Sequence, residues 1–160
     1  MPIRNPVAFI GEQVLGATAG APLSADANGQ LSSGISNSRV AVAGTILSTT
    51  STTDVVVTGQ TLTPAAGTYW AMARAVSSAT TNNRTISLSI YSNGVQSADS
   101  LVKYFVRNGN GLLGGTSDTG IMVTEAIVTV NGSQAIDMRW NTDGGTGNIT
   151  NYSLFLLRLS

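Results

Sequence analysis

Between Gly67 and Tyr91 the side chains alternate with a period of two, and only a β-strand presents such a pattern as two distinct faces. In Gly67–Val76, Tyr69, Ala71, Ala73 and Ala75 fall on one face, with Trp70, Met72, Arg74 and Val76 on the other. In Thr85–Tyr91, Ile86, Leu88 and Ile90 oppose Thr85, Ser87, Ser89 and Tyr91, the pattern of a half-buried strand. Further strands are expected at Val40–Leu47 (interrupted by Gly44), Asp54–Thr58, Leu101–Val106, Ile121–Val130, Gln134–Asn141 and Asn151–Leu159. Asn93-Gly94 and Asn131-Gly132 read as hairpin turns, because both residue types tolerate positive φ. No segment carries a convincing helical period. Many short strands separated by turn signals predict an all-β sandwich or barrel.

Composition agrees with that reading and narrows the function. Ser, Thr, Gly and Asn make up over two fifths of the chain, yet hydrophobic residues reach 42% and the formal net charge is zero. Apolar surface on that scale can be buried, so the polar residues read as turns and outward strand faces and not as disorder. Only 10% of residues are charged, against roughly 25% in ordinary soluble domains. Uncharged faces cost less to desolvate and suit packing against other protein. Eight scattered cations, seven of them arginine, give no basic stripe for phosphates, so nucleic-acid binding is not expected.

With neither Cys nor His, disulfides, the usual nucleophile–base pairs and zinc sites are not expected. The eight carboxylates stand singly, and nothing marks two of them as a glycosidase pair. Gly109–Gly114 matches G-x-G-x-x-G but runs into another Gly-rich stretch instead of a helix, so it reads as loop. Asn141, Asp143 and Asn148, like Asp26 and Asn28, are thin ligation for calcium, and no metal or cofactor is expected. The Asn-x-Ser/Thr sequons at Asn83, Asn131, Asn148 and Asn151 read as chance, since no secretion signal is recognised. No apolar run is long enough to span a membrane as a helix.

The character of the chain changes near Ser38. Residues 1–38 are rich in Gly, Ala and Ser, contain Pro2, Pro6 and Pro22, and carry the turn signal Asp26-Ala27-Asn28-Gly29. Such a segment cannot form a core, so it reads as an extended arm held by its own domain (39–160) or by a neighbouring subunit.

Four short motifs then stand in order: Gly67-Thr68-Tyr69 after Pro64-Ala65-Ala66, Ile90–Gly94 ending a strand, the expected hairpin Val128–Met138, and the closing strand Tyr152–Leu157. Over roughly residues 60–160 this set resembles the tumour-necrosis-factor-like jelly roll, the fold also of complement globular heads. The resemblance implies a jelly-roll β-sandwich that assembles as a homotrimer, with Tyr69, Tyr152 and Phe155 as candidates for the three-fold axis. The alternative for each is a place in the sandwich core. No collagen-like stalk, membrane anchor or disulfide accompanies it, which argues against an animal signalling role.

Glu125, Asp137, Arg139 and Arg158 fall in strands expected to be neighbours and read as cross-strand or inter-subunit ion pairs. Together these readings predict a non-enzymatic virion structural protein made in the host cytoplasm: a trimeric decoration or cement protein on a phage capsid. Its partners would be itself and the major capsid protein, which the arm would grip through Arg4, Phe9, Ile10, Leu15 and Leu23. The alternative is a tail-fibre tip or receptor-binding head that recognises cell-surface glycans through the loops 108–120 and 142–148. Those loops contain no aromatic residue, which disfavours it.

Overall fold

A computed structural model describes residues 24–25, 31–32, 37–80, 83–107 and 118–160. The chain divides into two compact units, 1–36 and 37–160. In the first, β1 (Ser24–Ala25) pairs antiparallel with β2 (Leu31–Ser32) around the expected turn signal. Arg4, Phe9, Ile10, Leu15 and Leu23 lie outside the described residues.

The second unit is a sandwich of two five-stranded antiparallel sheets. Its strands are β3 (Asn37–Val42), β4 (Leu47–Thr49), β5 (Val55–Leu62), β6 (Gly67–Ala79), β7 (Arg84–Ser92), β8 (Val95–Gln96), β9 (Val102–Val106), β10 (Thr119–Val130), β11 (Ile136–Thr142) and β12 (Gly147–Arg158). Sheet I runs β10-β6-β12-β3, with β4 also on β12; sheet II runs β5-β11-β7-β8, with β9 also on β7. The pairs nest: β3 with β12, β5 with β11, β6 with β10, and β7 with β9. A double-sheet arrangement with first strand on last and the others nested inside is the jelly roll.

The core follows from the alternation. Ile86, Leu88 and Ile90 of sheet II are fully buried, as are Ile136 and Met138, with Trp140 nearly so. Opposite them, β6 offers Ala71, Ala73 and Ala75, and β12 offers Leu154 and Leu156. A column of alanines on β6 leaves room for the large side chains of the other sheet, so the two faces interdigitate. Burial of each Ile or Leu contributes roughly 1.5–3 kcal/mol before conformational entropy is counted.

Two local devices hold the register. In β12, Asn151 and Tyr152 together oppose the single residue Ala75, a β-bulge in which Asn151 takes φ 48°. The extra residue restores the inward phase, so Ile149 and Tyr152 both face the core. Asn151 Oδ1 accepts the Gly44 N–H at 3.0 Å, tying the β3–β4 corner to the bulge. At the far end of β6, the Tyr69 hydroxyl donates to the Ala65 carbonyl at 2.9 Å, and Arg158 Nη2 donates to Ala66 O at 2.8 Å. A side chain at Gly67 would collide with the main-chain oxygen of Ser160 and come within 2.8 Å of Arg158 Nε, which explains the Gly in Gly67-Thr68-Tyr69.

Three sequence expectations are corrected. Asn93-Gly94 is a true two-residue hairpin turn, with φ of 52° and 79° and Ser92 paired to Val95. Asn131-Gly132 is not: β10 belongs to sheet I and β11 to sheet II, so the segment crosses between sheets. Asn131 Oδ1 accepts from Ser133 N and Oγ, an Asx turn that bends the chain without pairing its flanks. Finally, β7 is covered on both faces, since outward Ser87 and Ser89 are buried too.

Gln60 lies on the core side of β5, fully buried, just after a bulge at Gly59 (φ 77°), and neither amide atom has a hydrogen-bond partner among the described residues. An unpaired buried amide costs about 1–3 kcal/mol. Gln60→Met, similar in shape and apolar, is therefore expected to raise unfolding free energy by about 1–2 kcal/mol in urea titrations, with the m-value unchanged. A lower midpoint would show that the amide is satisfied by something worth more than its desolvation.

Candidate functional site

The outer face of sheet I is the most unusual surface of this unit. β10 is apolar on both faces: Met122, Ala126, Val128 and Val130 enter the core, while Ile121 (63% exposed), Val123 (50%) and Ile127 (62%) point outward. The register continues the apolar character across the sheet. Ile127, Trp70 and Leu157 form one row; Glu125, Met72 and Phe155 the next; Val123, Arg74 and Ser153 a third. Trp70 and Phe155 meet edge to face with centroids 6.1 Å apart, and Trp70 Nε1 donates to Glu125 at 3.0 Å. Contiguous apolar patches of this kind mark interaction surfaces, because their desolvation contributes favourably when a partner covers them.

Of the three aromatics expected at an assembly axis, this face contains one. Phe155 is half-buried on the outer side of β12. Tyr69 and Tyr152 belong to the core cluster, with 4% and 2% exposure, so the sandwich already covers them. The alternation that put Tyr69 with three alanines already implied this, since the alanine face is the inner one. The outward residues of β10 were also legible: a run apolar on both faces needs cover on both.

The four charges expected to pair do not form one network. Glu125 and Arg158 are in sheet I, Asp137 and Arg139 in sheet II. Glu125 serves the Trp70 indole, and Arg158 donates to the main-chain oxygens of Ala66 and Ser160. Asp137 and Arg139 do form an ion pair, two residues apart on one strand face and not across strands. Arg139 lies 4.2 Å from the centroid of the Tyr91 ring. The Tyr91 hydroxyl donates to Asp54 Oδ2 at 2.6 Å, Ser89 Oγ to the same oxygen at 3.2 Å, and Asn141 Nδ2 to Oδ1 at 2.6 Å. This network covers the outer side of β7 and accounts for the buried serines.

Other candidates are committed elsewhere. Asn148 Oδ1 accepts from Ser48 at 2.6 Å, and Asp143 lies 4.0 Å from Arg84. No group of three metal-ligating side chains occurs among the described residues. The G-x-G-x-x-G match, most of the 108–120 loop, Asp26 and Asn28 lie outside them.

No family model matches the chain, and no curated protein does. Solved structures do. The T=1 particles derived from infectious bursal virus match with TM-score 0.51 and 12% identity, over 86% of this chain and 35% of that one. The T13 particle of infectious bursal disease virus gives 0.50 and 13%, over 78% and 31%. The TNF protein Eiger from S. frugiperda gives 0.47 and 8%, over 79% and 93%. The likeness is one of fold: a jelly roll. This chain spans about a third of the particle proteins' length.

The Asp54 bond, then burial and the Asp54 charge, raise the Tyr91 pKa above its ordinary value near 10. The folded chain thus holds this proton more tightly than the unfolded chain does. That contribution is complete below about pH 10 and is lost as pH rises through the raised value. Urea midpoints measured from neutral pH to pH 11 should fall more steeply for the wild type than for Tyr91→Phe, which has no phenol to ionise. Parallel curves would show that the Tyr91 bond does not differ between the two states.

Proposed function

We propose that this protein is a non-enzymatic virion structural protein, a homotrimeric decoration or cement protein that binds and stabilises a phage capsid. The observation that carries this reading is the outward apolar face of sheet I, on a jelly roll whose described residues offer no catalytic constellation. Copies of the chain are the fitting cover for that face. Phe155, Trp70 and Ile127 would form the centre of the contact, and Arg39, Arg74 and Glu125 its polar surround. Aromatic and aliphatic anchors within a polar rim are the usual anatomy of a stable interface. The particle proteins of infectious bursal disease virus use the same fold, which fits a place in a virion. The segment 1–38 would engage the major capsid protein, with Arg4, Phe9, Ile10, Leu15 and Leu23 as its contacts. Three arms on one trimer would multiply the hold through effective concentration.

Light scattering behind size-exclusion chromatography should give the mass of three 16.4 kDa chains. The double variant Val123→Lys, Ile127→Lys should elute as a folded monomer, since its lysines would be buried without partners. A variant that stays trimeric would place the subunit contact elsewhere.

Deletion of residues 1–38 should leave folded trimers that no longer co-sediment with capsids. Retained co-sedimentation at full copy number would remove the arm from the mechanism.

A further inference from the structure

The outer face of sheet II carries a polar groove of about 450 Å³, on the opposite sheet from the apolar face. Register builds it. Ser87 of β7 is paired with Lys103 of β9 on one side and with Asn141 of β11 on the other, so the three stand in one row across the sheet. The serine is short and its neighbours are long, which makes a floor between two banks. On one bank stand Lys103 and Leu101; on the other stand Asn141, Asp54 and Asp143.

Several of these groups are poised for a ligand. Ser87 is only 5% exposed, lines the groove, and makes no hydrogen bond with any described residue. Lys103 is exposed and forms no ion pair among the described residues. Asn141 is held from behind, because its Nδ2 is engaged by Asp54 and its Oδ1 is thereby turned to accept. Asp54 already takes hydrogen bonds from Asn141, Ser89 and Tyr91, so it orients the amide and is not left as a bare counter-charge. Apolar contact is present too: Leu101 is 46% exposed, and Phe105, paired with groove-lining Thr85, is 48% exposed on the same face.

This chemistry selects against the simple alternatives. Two carboxylates on one bank disfavour an anion, the Lys103 ammonium disfavours a cation, and hydroxyl and amide groups disfavour a purely apolar guest. A ring bearing hydroxyls that both donate and accept, with C–H groups on one face, satisfies every group. The volume falls within the roughly 300–1,000 Å³ of small-molecule sites. We propose that this groove binds a sugar ring, so that the protein recognises glycans through the outer face of sheet II and not through its loops.

The test is a titration of the full-length ¹⁵N-labelled protein with methyl glycosides of glucose, galactose, mannose, N-acetylglucosamine and sialic acid, followed by amide chemical shifts. At least one glycoside is expected to give saturable shifts at Ser87, Lys103, Asn141 and Asp143. Lys103→Ala, at an exposed position, should weaken that binding by roughly tenfold, the effect of one charge-assisted hydrogen bond. Ser87→Val, which fills the floor and removes its hydroxyl, should abolish it. Free alanine, which matches the opposed charges but has no ring, should leave the spectrum unchanged. The proposal is overturned if no glycoside shifts these amides, if the shifts map to other residues, if both variants bind as the wild type, or if alanine alone produces them. Lys103→Ala should still trimerise and bind capsids, so failure here is separable from failure of the assembly reading.

Discussion

Everything in the sandwich depends on β12 finding both of its neighbours. It is the interior strand that joins β6 to the β3–β4 edge, so sheet I is incomplete until the last strand arrives. The pairings it makes span nearly the whole domain in sequence, and such contacts are entropically late, because a long loop closes before they are rewarded. The bulge at Asn151, the Gly44 contact and the Arg158 bonds to Ala66 and Ser160 all lie on this strand, so the devices that set register are concentrated where a slip would cost most.

The alternating strands were legible because period two is a direct image of the pleat, and Asn93-Gly94 was legible because a two-residue turn leaves its flanking strands no choice but to pair. Asn131-Gly132 was misread for a reason of the same kind. A positive φ fixes the local bend, but a longer connection of several residues lets the next strand join the other sheet, and nothing local distinguishes the two outcomes. The charged pairs failed likewise, since neighbourhood in sequence was taken for neighbourhood in a sheet. Partner choice in a jelly roll is nested and non-local, and single residues do not encode it.

The two outer faces were legible to different degrees. The apolar face of sheet I is written into β10, where hydrophobic residues occupy both phases. The groove on sheet II is not: Ser87, Lys103 and Asn141 come from three separated strands, and only the paired register brings them into one row. The burial of Ser87 and Ser89 depends on Asp54, Tyr91 and Asn141 reaching over them, which composition alone does not reveal. One sheet thus presents what protein surfaces bury and the other what small polar ligands meet, with the sparsely charged composition serving both.

The Asn151 bulge has a bearing on how this domain can change over time. Because it corrects the phase of β12, loss of a single residue there would turn Phe155 and Leu157 inward and Tyr152, Leu154 and Leu156 outward, exchanging the core face for the surface face along the rest of the strand. Side chains at that corner are comparatively free to vary, being exposed, while the number of residues is not. Descendants of this sequence should therefore drift in identity around Asn151 yet keep its spacing, accepting insertions and deletions only where no strand must remember which way it faces.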